Sequence, residues 1–291
     1  MTRRRATTIG FCAILLWALL ALFTVGTSPM PPLQLNAICF AIGGTIGLIW
    51  TARAGRISQL RAVPLSVYCF GTAGLFLYHF LYFSALRAAP PAQAGLIAYL
   101  WPLLIVLFSG MLPGERLKIG HVSGALISFA GAALVVLGGS AGFNPEFATG
   151  YALAVGCALL WAGYSVLSRR LGDVPTASVA VFCIATAVLS LGAHLATEQT
   201  VWPASMIGWT SILALGLGPV GLAFYVWDIG VKKGDIQLLG VASYAAPLLS
   251  TITLVVAGIA APRWPLLLAA VLITCGALIA ARASATADIS T

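Results

Sequence analysis

From Thr7 onward the chain repeats one rhythm: an apolar run of about twenty residues, then a short break carrying Arg, Lys, Pro or Gly. Ten such runs stand at 7–25, 32–51, 64–86, 91–111, 119–138, 148–168, 176–196, 205–231, 236–259 and 264–282. Each is close to the roughly 20 residues that take an α-helix across about 30 Å of hydrocarbon. A closed β-barrel is the other backbone arrangement that keeps its hydrogen bonds in lipid, but it needs alternating segments, and LLIVLF or GAALVVLGG do not alternate. The pattern predicts an all-α polytopic membrane protein of ten transmembrane helices, with connections too short to hold a soluble domain.

Composition sharpens this. The 291 residues are 60% hydrophobic and 8% charged, against about 25% charged in soluble domains, and the mean hydropathy is +1.03. A net charge of +8 would suit nucleic acid if it formed a stripe, but the basic residues are scattered over short loops. Their placement reads as topology. With a cytoplasmic N-terminus, Arg3, Arg4, Arg5, Arg53, Arg56, Arg61, Arg116, Lys118, Arg169, Arg170, Lys232, Lys233 and Arg282 all fall inside, and only Arg87 and Arg263 fall outside. This is the positive-inside bias, and it places both termini in the cytoplasm. The start MTRRRATTIGFCAILLWALLALF has the shape of a signal peptide, but its removal would spoil that parity, so it is expected to remain as the first span. Cys12, Cys39, Cys69, Cys157, Cys183 and Cys275 lie inside apolar runs without CxxC spacing and are expected to be small core residues.

The chain also repeats itself. YHFLYFSALRAAPPAQAGLIAYLWP (78–102) returns 145 positions later as AFYVWDIGVKKGDIQLLGVASYAAP (223–247), placing Gly95 on Gly240, Tyr99 on Tyr244 and Pro102 on Pro247. At an offset of 144, AILLWA around Trp17 matches CALLWA around Trp161. Each half holds five spans, and five is odd, so the second copy must enter the bilayer in the opposite direction. Such an inverted repeat lets each half take the conformation the other has left, opening a central site to one side and then the other.

The spacing from Tyr78 to Leu104, followed by LPGERLKIGHVSGALISFAGAALVV, resembles the EamA repeat of the drug/metabolite transporter superfamily over nearly the whole chain. Trp17 and Trp161 sit where that repeat places its first-helix tryptophan. Within the superfamily, LYHFLYFSAL and AYLWPLLI are most similar to the YddG-type aromatic amino acid exporters. The resemblance implies two EamA-like repeats, 1–141 and 142–291, in a multi-pass bacterial cytoplasmic (inner) membrane protein with a cavity between them. It implies export of aromatic amino acids or other neutral metabolites. One departure is visible: the acid after the fourth span is Glu115, but its counterpart is Ala260.

Several residues are candidates for the site. Tyr78 and Tyr82 are four apart and share a helix face, with His79 alongside. Two readings of His79 stand: a ring satisfied by a neighbouring carbonyl or hydroxyl, or a cavity-facing ligand and the first candidate for proton coupling. Tyr99 and Trp101 precede Pro102, which should free the carbonyl of Ala98, as Pro247 should free that of Ser243 beside Tyr244. Such carbonyls in a bilayer suggest a path lined by protein or water, and could hold an ammonium, though kinks that only shape packing would look the same. Pro219, among three glycines, suggests a flexible eighth span. Asp228 pairs on paper with Lys232 one turn on, or serves as an ammonium ligand or proton-coupled group. Trp17, Trp161, Tyr164 and Ser165, with Trp227 as the counterpart of Tyr82, are expected cavity walls or packing residues. Trp50, Trp101, Trp202 and Trp264 lie near run ends, where an interfacial belt competes.

The expected partners are a small-molecule substrate and the lipid bilayer, in a chain that can act as a monomer, with no nucleic acid. No embedded Arg or Lys is available for a phosphorylated substrate. No cofactor or metal is implied: there is no P-loop, no HExxH and no catalytic acid pair, which speaks against an ATP-driven pump and an embedded enzyme. A gradient-driven carrier is the expectation, and a passive channel is the alternative that sequence does not separate from it.

Overall fold

The computed structural model describes residues 1–137 and 142–288. Its ten membrane-length helices run over Arg3–Gly26, Pro32–Arg53, Leu65–Ala88, Pro91–Ser109, Ile119–Leu137, Pro145–Arg170, Ser178–Thr197, Met206–Lys233, Ile236–Val256 and Pro265–Ala285, numbered below as the first to tenth spans. The first begins earlier than its apolar run because Thr2 Oγ1 accepts from the Arg5 amide and caps it. The expected end of the fifth run at 138 and the division between halves at 141 lie outside the described residues.

Four spans are interrupted near their middles. The first breaks at Leu19, between Arg3–Ala18 and Leu20–Gly26. The fourth breaks between Pro91–Ala98 and Trp101–Ser109, and the ninth between Ile236–Ala242 and Ala245–Val256, each just before a proline that has no amide hydrogen to give. The eighth holds a π-helical turn, Gly218–Leu222, at Pro219. Gly221 there lies against the Gly216 carbonyl and within reach of Gly43 Cα, so a side chain at 221 would have no room. Gly43 and Gly47 on the second span thus serve close helix approach, the latter under the ring of Tyr225.

The packing repeats under exchange of the halves. The first span pairs with the eighth and the third with the sixth; the second meets the seventh, the fourth the ninth and the fifth the tenth. Gly131 approaches Ile273 and the Ala269 carbonyl, while its mate Gly276 approaches Ser128 and the Gly124 carbonyl. Ser128 Oγ donates to the Ile273 carbonyl at 3.4 Å, and these two residues are themselves 145 apart, so the pseudo-two-fold axis passes between them. Arg3 at the start of the first span and Arg169 at the end of the sixth meet on one carboxylate, that of Glu115. Matching spans therefore run in opposite directions, as an inverted repeat requires.

The outer surface is that of a lipid-solvated protein: Leu65, Leu195, Ile207 and Leu267 are each about 70% exposed or more. Cysteine placement departs from expectation. Cys39, Cys157 and Cys183 are buried, but Cys12, Cys69 and Cys275 are exposed on their spans; lipid is as apolar as a core, so composition cannot distinguish the two. Trp50, Trp202 and Trp264 are exposed near span ends, where a belt would place them, whereas Trp101 is buried.

Candidate functional site

A cavity of about 580 Å³ opens between the two halves. Helix spacing builds its first wall: the rings of Tyr78 and Tyr82 stack nearly parallel with centroids 6.2 Å apart. His79 lies edge-on to Phe40 and to Tyr78, each at 5.0 Å, and its Nδ1 is 2.7 Å from the Leu75 carbonyl one turn back. Phe224, its counterpart at the 145-residue offset, is 5.9 Å away. The two halves thus contribute matching positions to a single wall.

The floor is a cluster of tryptophans. Trp17 stands 6.1 Å from both Trp101 and Trp161 and 5.1 Å from Trp227. Its indole donates to the Pro219 carbonyl (3.2 Å) in the π turn, and that of Trp227 donates to Ser165 Oγ (3.1 Å). From this floor the lining climbs past Leu20 and Thr24 to Thr27, Ser28 and Pro29 in the first connection, so the cavity reaches the surface there. Among the described lining residues there is no Asp, Glu, Lys or Arg; Tyr, Trp and Phe rings dominate, with Asn36 and the hydroxyls of Tyr78, Tyr82 and Tyr99 as polar points. Such a site suits a flat apolar group carrying neutral or mutually balancing polar ends.

The opposite end is closed. Tyr164 stacks on Phe70 at 5.5 Å. Beyond them Glu115 accepts from Arg3 (3.2 Å) and from Arg169, Arg3 lies 3.8 Å from Asp235, and Arg169 donates to the carbonyls of Val231 (3.0 Å) and Gly234 (2.8 Å). This lattice ties the first and sixth spans to the connections after the fourth and eighth. Sequence reasoning missed it, since its members are separated by more than fifty residues and no spacing rule joins them.

At the open end Glu198 is the organising group. It accepts from the Leu33 and Gln34 amides at the start of the second span (both 3.1 Å), from the His194 ring (3.0 Å) and from Arg87. Burial alone would raise its pKa, but these bonds outweigh burial and hold the carboxyl below its ordinary value. This acid also went unremarked in the sequence.

Of the residues singled out from sequence, Trp17, Tyr78, His79, Tyr82, Tyr99, Trp101, Trp161 and Pro219 line the cavity. Trp227 and Ser165 support it from beneath, and Tyr164 packs behind Trp161 at 5.3 Å. Asp228 is held by Lys232 (2.9 Å) and Thr176 (2.7 Å) toward the closed end, outside the lining. Ser243 is buried with Oγ on the Leu239 carbonyl, and Tyr244 is buried with its hydroxyl accepting from the Leu103 amide at 3.0 Å. The Ser243 carbonyl is not freed by Pro247: the turn tightens and the Ala246 amide donates to it at 3.1 Å. Pro102 and Pro247 stand behind the wall while Ala98 and Ala246 face it. Phe224 was legible as the mate of His79; Phe83 and Asn36 carried no signal. No group of three His, Cys, Asp or Glu side chains gathers to hold a metal among the described residues.

A family profile described as the EamA-like transporter family matches residues 5–137 and again 148–282. The chain is 56% identical over 284 residues to the aromatic amino acid exporter YddG of Ancylobacter novellus, covering 96% of this chain and 98% of that protein. It is 29% identical to the protein of the same name from Salmonella typhimurium, covering 86% of this chain and 88% of that one. A solved crystal structure 55% identical in sequence superposes with a TM-score of 0.91, covering 96% of this chain and 98% of the other.

Proposed function

The chain belongs to the EamA-like transporter family, and on that premise we propose that it exports aromatic amino acids across the bacterial cytoplasmic membrane by alternating access. The uncharged, ring-lined cavity open at one end and sealed at the other is the observation that carries this reading. A zwitterion brings a net charge of zero, so a site without Asp, Glu, Lys or Arg matches its overall neutrality. Its ammonium can use ring faces and hydroxyl oxygens, and its carboxylate the hydroxyl and indole donors. The relatives named as aromatic amino acid exporters support the substrate class.

Orientation follows from the basic residues. The closed end carries Arg3, Arg169 and the basic connections that belong inside, so the cavity opens outward and both termini are cytoplasmic. Opening inward would require the Glu115 lattice to part. The bend lies in the first–eighth pair, whose inner halves, Arg3–Ala18 and Ala223–Lys233, pack together below Leu19 and the π turn. Counterflow of labelled Trp or Phe into proteoliposomes of the purified protein tests the reading. Transient accumulation that unlabelled aromatic amino acids drive and sugar phosphates do not is expected. Passive equilibration without overshoot would favour a channel, and counterflow of some other solute alone would change the substrate.

A further inference from the structure

His79 is the one Asp, Glu, His, Lys or Arg among the described residues lining the cavity. Its Nδ1 lies 2.7 Å from the Leu75 carbonyl. A carbonyl only accepts, so Nδ1 carries the hydrogen, and in the neutral ring Nε2 is left with a lone pair. No described residue is hydrogen-bonded to Nε2; what surrounds the ring are the aromatic groups of Phe40, Tyr78, Phe83 and Phe224.

The other titratable groups nearby are accounted for. On the same span are Tyr78 and Tyr82; Tyr99 comes from the fourth span and Cys39 from the second. Cys157 of the sixth directs its thiol at the Tyr78 carbonyl, Cys183 lies on the seventh, and Tyr225 of the eighth donates to the Gly43 carbonyl. Asp228, one turn beyond Phe224, is taken by Lys232 and Thr176. None of them places a carboxylate in the cavity to receive a substrate ammonium. An ammonium has three donors and wants an acceptor among ring faces, and Nε2 in its cage of rings is such an acceptor. Once protonated, the same ring presents a donor and a positive charge, and the ammonium is repelled.

Resting on the export reading above, we propose that Nε2 of His79 is shared alternately between a proton entering from outside and the ammonium of the exported amino acid, which makes the carrier a proton–substrate exchanger. The bookkeeping of charge is simple. In the outward-open state a proton binds Nε2 and the zwitterion leaves; the protonated carrier turns inward and releases its proton to the cytoplasm as the next zwitterion binds. One proton enters per amino acid exported, and one positive charge moves inward with it, so the membrane potential contributes to the drive.

The test uses purified full-length protein in liposomes loaded with Trp and a trapped pH-sensitive dye. An outward Trp gradient should acidify the lumen, and the half-saturating Trp concentration for counterflow should rise by up to about tenfold per pH unit as His79 becomes protonated. His79→Gln should exchange Trp more weakly, at a rate that no longer varies with pH, and without acidification. Wild-type counterflow without acidification would overturn the exchange mechanism alone, and so would a His79→Gln protein that still acidifies. Should the variant not fold, the wild-type acidification decides by itself. If the wild-type protein shows no counterflow of any aromatic amino acid, the export reading falls and this inference with it.

Discussion

The first–eighth and third–sixth pairs are images of each other in the repeat, yet they are built differently. Both pairs are zipped by small residues: Gly10 against Gly230 in one, and Ala85 and Ala154 in one buried cluster in the other. The third and sixth spans are unbroken helices. The first and eighth are each interrupted at the level of the cavity, and the Trp17 indole bridges the two interruptions through the Pro219 carbonyl. The position matching Pro219 in the third span is Gly74, which keeps its amide hydrogen. The repeat therefore supplies both walls of the cavity, and its local violation sets the first–eighth pair apart from the third–sixth pair. The ends differ in the same sense. Positions matching Arg3, Glu115, Arg169 and Asp235 are Phe147, Ala260, Val25 and Pro90, so the ionic lattice has no charged image at the open end. The proposed outward-open resting state rests on this asymmetry.

The largest effect should come from Glu115→Gln, which removes the carboxylate that Arg3 and Arg169 share. Gln keeps one amide oxygen as an acceptor, so the net loss is about one hydrogen bond to a charged group, about 1.5–3 kcal/mol, and the inward-open fraction should rise roughly tenfold to a hundredfold. Accessibility of a single cysteine placed on the inner side of the tryptophan cluster to a membrane-impermeant thiol reagent would measure it. No increase would mean that the lattice does not hold the end shut. Trp17→Phe should act next most strongly. It keeps a ring on the floor but leaves the Pro219 carbonyl without its donor, about 0.5–1.5 kcal/mol. Turnover should fall by about fivefold while substrate affinity changes little, as counterflow kinetics would show; an equal loss in affinity would place Trp17 in binding alone.

Glu198→Gln should affect transport least, because it acts at the end that is already open. Its cost is in stability. A carboxyl held below its ordinary value contributes stability that is complete above that ordinary value and is lost as pH falls through the lower folded one. The wild-type melting temperature should therefore be flat from neutral pH to about pH 5 and decline below, whereas Glu198→Gln should start several degrees lower and lose the part of that decline due to Glu198. Identical acid profiles for the two proteins would remove Glu198 from this role.

Much of the architecture was legible because lipid leaves few options: a chain must cross as a helix, and length and periodicity then fix the number of crossings. The lining of the candidate cavity was half legible for the same reason. Tyr78, His79 and Tyr82 follow from helical spacing and Trp17 and Trp161 from the repeat, while the Asp228–Lys232 pair, legible from its four-residue separation, lies outside the lining. The repeat misled at Tyr244. It mates with Tyr99, but a cavity open at one end cannot show both halves the same face, and Tyr244 instead holds the Leu103 amide where the fourth span restarts. The π turn and the Glu115 lattice were hidden because they are set by backbone approach and by contacts between distant segments. The exposed cysteines were hidden because apolar residues face lipid and core alike.

The most direct measurement is of distance, by pairs of spin labels in a background lacking the exposed Cys12, Cys69 and Cys275. One pair joins Lys233→Cys, at the inner end of the eighth span, to Arg170→Cys at the inner end of the sixth; the other joins Leu65→Cys, where the third span begins, to the same Arg170→Cys. During turnover, and more so with Glu115→Gln, a second and longer distance should appear for 233–170 while 65–170 keeps one. A 233–170 distance that never changes, or a 65–170 distance that lengthens in its place, would contradict a carrier whose broken first–eighth pair swings against a rigid third–sixth pair.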